Sequence, residues 1–135
     1  MNKILTALLS TGILAAGLAP AASAVGLAES TGEAHVLLTA TRMLGETEAI
    51  RFVCLDCPGS EGRNQPFARE ACRDLRTADG DFDRLPGQST AFCSNDSTAV
   101  TVTAHGTFRG REVQWERTYE NDCALMLATG PVFEF

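Results

Sequence analysis

The stretch from residue 50 to residue 57 decides how this chain can fold. It reads Ile50-Arg51-Phe52-Val53-Cys54-Leu55-Asp56-Cys57. A strand of this composition alternates its side chains between two faces, with a period of two residues. Val53, Leu55 and Cys57 then share one face, while Cys54 lies on the opposite one. The stretch therefore predicts a β-strand in a sheet whose two faces differ, and it separates Cys54 from Cys57.

Further elements follow on either side of this strand. Similar β-prone runs predict strands over residues 34–41, 99–104, 112–119 and 130–135. A helix is predicted over residues 67–75, because Phe67, Ala71, Cys72 and Leu75 are spaced to share one helical face. A shorter helical turn is predicted around Phe82 and Leu85. The His105-Gly106 and Arg109-Gly110 pairs are predicted to be turns. This order indicates an α+β fold, a five-stranded antiparallel sheet with one or two helices packed on one face.

The first 24 residues are predicted to be a secretory signal peptide. A basic start at Lys3 precedes an apolar run, and Ala22-Ser23-Ala24 has the small-residue pattern of a cleavage site. The apolar run is short and interrupted by glycine, which argues against a membrane span. Residues 25–135 are then the mature domain, exported to the cell exterior. A domain of that size buries roughly two-thirds of its unfolded surface.

The charge balance excludes several classes of protein. The net charge is −6 and, after Lys3, every basic residue in the sequence is arginine. An acidic chain without a basic patch is not expected to bind nucleic acid or an anionic membrane. Cys54 and Cys57 form a C-x-x-C pattern. No second C-x-x-C or H-x-x-x-H pattern completes a zinc site, so no metal and no cofactor is expected. The two histidines, His35 and His105, have no nucleophile at motif spacing, so the chain is not expected to be an enzyme.

Five cysteines in a small exported chain predict disulfides, with one thiol left over. A local Cys54–Cys57 bond is not expected, because three strand residues span about 10 Å and bridged Cα atoms lie within roughly 7 Å. The remaining framework consists of Cys57, Cys72, Cys93 and Cys123. Four cysteines allow three connectivities, and the spacing alone does not choose among them.

Several segments of the chain resemble the Streptomyces subtilisin inhibitor family of secreted serine protease inhibitors. The resemblance is carried by the segments Val53-Cys54-Leu55-Asp56-Cys57, Ala71-Cys72-Arg73-Asp74-Leu75, Gly106-Thr107-Phe108-Arg109-Gly110-Arg111, Glu116-Arg117-Thr118-Tyr119-Glu120-Asn121-Asp122-Cys123 and Val132-Phe133-Glu134-Phe135. The spacing of four cysteines also agrees with the family, whereas Cys54 has no counterpart in it. The resemblance implies the disulfides Cys57–Cys72 and Cys93–Cys123, and a homodimer formed by packing sheet faces together.

The resemblance also implies a reactive loop around Thr90-Ala91-Phe92-Cys93-Ser94-Asn95-Asp96-Ser97-Thr98. Its implied primary specificity residue is Asn95, and Asn95–Asp96 is the bond presented to a subtilisin-like serine protease. Phe92, Cys93, Ser94 and Ser97 are the expected protease-contact residues. Asn121, close to the loop through the Cys93–Cys123 bridge, is expected to support it by hydrogen bonds from its amide.

The loop departs from the family pattern at two positions. Ser94 stands where the family usually has proline, and Asn95 stands where it usually has methionine, lysine or arginine. These departures favour a second hypothesis, a non-inhibitory extracellular binding or scaffold protein that retains the inhibitor fold. Inhibition of a subtilisin-like protease is the leading expectation.

Overall fold

The computed structural model describes residues 32–58, 65–89, 93 and 97–135. Within them lie four strands, β1 (Ala34–Leu44), β2 (Thr47–Cys57), β3 (Val100–Phe108) and β4 (Arg111–Tyr119). The α-helices are α1 (Ala68–Thr77) and α2 (Asp122–Thr129), and each is followed by a short 3-10 helix, Phe82–Arg84 and Gly130–Phe133 respectively. The predicted signal peptide, residues 1–24, lies outside the described residues. In the described ranges, neither α-helix has the length and apolar character needed to cross a bilayer.

The four strands form one antiparallel sheet in the order β2-β1-β3-β4. β1 is central and pairs on both edges, so that Leu37 faces Cys54 of β2 on one side and His105 of β3 on the other. The β1–β2 connection is a tight hairpin, whereas β1 and β3 are far apart in the chain. The pairing of β1 with β3 therefore brings the two halves of the protein together.

One face of the sheet carries the core. Val36 and Leu38 of β1, Leu55 of β2 and Val102 of β3 are all completely buried on it. The opposite face is open, and Phe52 there is 70% exposed. The alternation predicted for residues 50–57 is therefore confirmed, including the outward position of Cys54.

The first helix lies on the buried face of the sheet. Ala68, Ala71, Cys72 and Leu75 are buried at the i, i+3, i+4, i+7 spacing of one helical stripe. The predicted stripe began one residue too early, since Phe67 is the N-cap of α1 and is 39% exposed. The helix itself is confirmed, and so is the short helical turn at Phe82.

The predicted five-stranded sheet is wrong, because the described chain has four strands and residues 130–135 do not form the fifth. Gly130 has a φ of 58°, a left-handed conformation that interrupts an extended chain. Pro131 follows at the start of the 3-10 helix, a position that its fixed φ favours. Val132 and Phe133 are adjacent and both buried. A strand on a one-sided sheet would have placed one of these two side chains on the open face.

Two further expectations fail in the second half of the chain. Helix α2 was not predicted, since its apolar residues form a short continuous run without a clear helical period. His105-Gly106 is not a turn but continues β3, with Gly106 facing Val36 across the sheet. The β3–β4 turn is formed by Arg109-Gly110 alone, and both of these residues have a positive φ.

An ion-pair cluster fixes the first end of β1 against α1 and the β3–β4 turn. The carboxylate of Glu33 accepts hydrogen bonds from Arg76 Nε at 2.9 Å and from Arg109 Nε at 3.0 Å. These hydrogen bonds, from Arg76 first and then Arg109, lower the pKa of Glu33 from its ordinary value of 4.5 to about 2. Glu33 therefore joins three separate segments while it is ionised.

The folded form should lose the contribution of Glu33 in acid. A carboxyl whose folded pKa is lowered stabilises the fold fully above its unfolded value of 4.5, and that stability disappears as the pH falls towards about 2. We expect Glu33→Gln to be less stable than the parent at pH 7, and the difference to shrink over this range. Denaturant unfolding followed by the fluorescence of Trp115, the single tryptophan, measures it.

Glu46→Gln, in the exposed β1–β2 turn, is the matched control and should show no such pH-dependent difference. A stability gap between the parent and Glu33→Gln that stays constant from pH 7 to pH 2 would contradict the assignment.

Candidate functional site

Both implied disulfides are present in the structure. Cys57 in β2 is bonded to Cys72 in α1 with a Cα–Cα distance of 5.6 Å, and Cys93 is bonded to Cys123 in α2 with a Cα–Cα distance of 5.3 Å. Cys54 is free and exposed. The first bond fixes the helix layer on the sheet. The second fixes the predicted reactive loop on α2.

The tip of the loop is outside the described part of the chain. Phe92, Ser94, Asn95 and Asp96 belong to the residues on which the structure gives no description, whereas Cys93 and Ser97 are described and are both exposed. The candidate site is therefore defined by the base that carries the loop. Three elements form this base, namely the segment before the loop, the start of β3 and the start of α2.

The segment before the loop is held on the C-terminal end of α2. The backbone N–H of Gln88 donates to the carbonyl oxygen of Leu127 at 3.0 Å. Gly87 has a φ of 65°, and a Cβ there would lie 2.0 Å from the same carbonyl oxygen. Only glycine permits this approach, so the chain enters the loop along a fixed path.

The segment after the loop runs directly into the sheet. Ser97 and Ala99 are exposed, whereas Val100, the first residue of β3, is completely buried. Val100 pairs with Arg42 of β1 on one side and with Tyr119 of β4 on the other. The end of the loop is therefore anchored by the middle of a four-stranded sheet.

Asn121 caps the helix that carries Cys123. Its backbone is extended, and its Oδ1 accepts a hydrogen bond from the backbone N–H of Ala124 at 2.8 Å. An asparagine at this position satisfies one of the donors that the first turn of a helix leaves unpaired. Oδ1 serves the helix, and the NH2 group supplies the donors that the predicted support of loop carbonyls requires.

Sequence reasoning missed an ion pair at the same place. Arg42 Nε donates to both carboxylate oxygens of Asp122 at 3.0 Å, and Arg42 Nη2 also contacts Oδ1. Asp122 is the first residue of α2, where a carboxylate is favoured by the helix dipole. That preference could have been recognised from the sequence, but the partner, 80 positions away, could not.

In the described ranges, no group of three or more His, Cys, Asp or Glu side chains is arranged to hold a metal ion. The features that distinguish this site are instead a disulfide, a helix cap and a bidentate ion pair. All three converge on residues 121–123, the start of α2. Such a base can hold a loop rigidly.

The sequence model of the subtilisin inhibitor-like family matches residues 21–121. The chain belongs to this family. Among its relatives, subtilisin inhibitor-like protein 5 of Streptomyces fradiae is 38% identical over 86 residues, which cover 64% of this chain and 80% of that protein. Subtilisin inhibitor-like protein 2 of Streptomyces rochei is 36% identical over 89 residues, covering 66% and 79% of the two chains.

A solved structure extends this family comparison to three dimensions. Streptomyces caespitosus sermetstatin, crystallised in complex with Bacillus licheniformis subtilisin, is similar with a TM-score of 0.57 and 31% sequence identity. The match covers 76% of this chain and 98% of sermetstatin. The subtilisin inhibitor-like fold therefore extends over most of the described chain.

The helix cap at Asn121 can be separated by substitution from the loop-supporting role predicted for this residue. Removal of the cap by Asn121→Ala should lower the free energy of unfolding by about 1 kcal/mol. Asn121→Asp keeps an acceptor for the Ala124 N–H and adds a charge that the helix dipole favours, so it should retain the stability of the parent. Denaturant unfolding of the three proteins measures both effects.

The aspartate variant lacks the NH2 donors and so isolates the loop-supporting role. Faster cleavage of its loop by a protease, at unchanged stability, would assign that role to the amide. Equal loss of stability in the alanine and aspartate variants would contradict the capping assignment.

Proposed function

We propose that this protein is a secreted inhibitor of subtilisin-like serine proteases, exported by the signal peptide of residues 1–24 and active as the domain of residues 25–135. Family membership supports this function, and so does the likeness to sermetstatin, which was crystallised with subtilisin. The observation that carries the proposal is the Cys93–Cys123 bond, which ties the loop to the capped start of α2.

The loop binds the protease as a substrate would, with Asn95–Asp96 as the reactive bond. A flexible peptide loses conformational entropy when an active site orders it, and a loop that is already ordered avoids most of that loss. Here the loop is held by the disulfide at Cys93, by the Gln88–Leu127 hydrogen bond before it and by the pairing of Val100 after it. Tight binding then follows from the rigidity of the base.

The same base retains both halves of the loop if the reactive bond is cut. Cys93, on the amino side of the bond, stays bonded to Cys123 in α2. The carboxyl side continues through Ser97 into β3, which is paired on both edges. Neither new chain end can diffuse away, so that re-formation of the bond competes with product release. The inhibitor therefore remains bound as a substrate that the enzyme cannot release.

The loop side chains favour subtilisin over trypsin. Phe92 is expected to enter the apolar pocket that subtilisin-like enzymes have upstream of the cut, where its burial contributes about 1.5–3 kcal/mol. Asn95 carries no positive charge for the acidic pocket of trypsin. Ser94 and Ser97 complete the contact with small polar groups.

Titration of the mature protein against subtilisin, trypsin and chymotrypsin tests this function. We expect stoichiometric inhibition of subtilisin and much weaker inhibition of trypsin. Asn95→Met should strengthen the inhibition of subtilisin, and Asn95→Lys should create inhibition of trypsin, because this side chain alone enters the primary pocket while the loop backbone stays fixed.

Glu48→Lys provides the matched control, since it introduces the same side chain at an exposed position near the β1–β2 turn. It should leave the inhibition of each enzyme unchanged. Rapid digestion of the parent loop, without inhibition at molar excess, would exclude this function and favour a non-inhibitory binding or scaffold protein.

We also propose that the protein is a homodimer that packs the open faces of two sheets together. This face carries exposed apolar side chains, with Leu37 39% exposed, Ile50 57% exposed and Phe52 70% exposed. Apolar side chains grouped on one face favour association with a second apolar surface. Cys54 lies directly opposite Leu37 on the same face, so it either stays a free thiol within the dimer or bonds to its own copy.

Leu37→Asp should convert the dimer to a monomer, because it places a charge in the centre of the packed face. Analytical ultracentrifugation under reducing conditions measures the mass, and the same run without reductant detects a Cys54 inter-subunit bond. Leu44→Asp is the control, because it makes the same substitution at an exposed leucine near the β1–β2 turn. Parent protein that sediments as a monomer at all concentrations would disprove the dimer.

A further inference from the structure

The ion pair between Arg42 and Asp122 occupies a special position relative to the loop. On β1 the inward positions Val36, Leu38 and Ala40 are buried and apolar, and Arg42 is the next inward position along the strand. A charged side chain at the end of an apolar row needs a partner. Asp122 is that partner, and the Arg42 side chain is only 20% exposed.

In α2, the ion pair holds Asp122, which lies between the two residues that fix the base of the loop. Asp122 is preceded by Asn121, the cap, and followed by Cys123, the disulfide partner of Cys93. Displacement of Asp122 therefore moves both neighbours. Cys93 lies two positions before Asn95, so the amino side of the reactive bond would move with them.

On the side of the sheet, the backbone of Arg42 pairs with Val100, where the other end of the loop enters β3. Arg42 thus contacts the loop base from two directions, by its main chain at Val100 and by its guanidinium at Asp122. The distance between the two ends of the loop depends on how firmly α2 is fixed to β1. The bidentate geometry suits this role, because two parallel donors define the orientation as well as the distance.

We propose that Arg42 is a positioning residue of the inhibitory loop, which it holds in binding geometry by fixing the start of α2 against β1 through Asp122. This inference rests on the proposed inhibitory function. Arg42 itself need not touch the protease. Its effect is to keep the two ends of the loop at a constant separation, which is the condition for tight and slowly cleaved binding.

The test compares Arg42→Gln and Asp122→Asn with a control ion pair at the other end of β1. Arg76→Gln breaks the contact of Arg76 with both carboxylate oxygens of Glu33, which lies at the end of β1 remote from the loop. Arg42→Gln and Arg76→Gln should lower the free energy of unfolding to a similar extent. Arg42→Gln and Asp122→Asn, but not Arg76→Gln, should raise the inhibition constant for subtilisin by about tenfold and accelerate cleavage of the loop.

Two further variants separate positioning from a general loss of stability. The double variant Arg42→Gln with Asp122→Asn should be no worse an inhibitor than either single variant, since both remove one interaction. Arg42→Lys should recover only part of the effect, because an ammonium group cannot form the two parallel hydrogen bonds.

A measurement without protease distinguishes a failure of this inference from a failure of the proposed function. Amide hydrogen exchange at residues 97–99 and 121–124 should be faster in Arg42→Gln than in Arg76→Gln. If the parent fails to inhibit subtilisin, the function is wrong, yet exchange and cleavage rates still report whether Arg42 fixes the loop. Exchange, cleavage and inhibition that are the same in Arg42→Gln as in Arg76→Gln would overturn the positioning role.

Discussion

The pairing of β1 on both of its edges is the interaction on which the rest of the structure depends. Hydrogen bonds to β2 and β3 fix β1 as the centre of the sheet, and its inward side chains form the middle of the core. Each end of β1 then serves a different purpose. Glu33 joins its first end to α1 and the β3–β4 turn, whereas Arg42 joins its last part to the start of α2.

This arrangement separates the stability of the fold from the geometry of the loop. The Cys57–Cys72 bond and the Glu33 cluster lie towards one end of β1, and the Cys93–Cys123 bond and Asp122 lie towards the other. A rigid base beneath the loop is what a substrate-like inhibitor requires, since the scaffold must prevent release of the loop once the protease has bound it. The tip can then vary in sequence, as Ser94 and Asn95 do relative to the family, without altering the elements that hold it.

Sequence reasoning was successful where a local pattern has one physical meaning. Alternation over residues 50–57 determined which face of β2 is buried, and the cysteine spacing with the family resemblance identified both disulfides. It failed at residues 130–135, where an alternating pattern was outweighed by the left-handed Gly130 and by Pro131. The Arg42–Asp122 pair could not be predicted, because only the folded sheet brings β1 to the start of α2. The roles proposed for Asn95 and Asp96 rest on resemblance alone, since the chemistry of a loop tip is set by its partner.

The distant pairing of β1 and β3 also bears on how the chain acquires its fold. Thr39 and Thr103, which hydrogen-bond across these strands, are 64 positions apart, whereas the two disulfides close segments of 15 and 30 positions. The Cys57–Cys72 bond lies inside the longer segment but shortens it by only about a quarter, which changes the closure free energy by about 0.2 kcal/mol. Formation of this disulfide therefore hardly lowers the entropic cost of bringing β1 and β3 together. We therefore expect the rate at which the chain becomes native to depend mainly on its contact order, through the encounter of two distant strands.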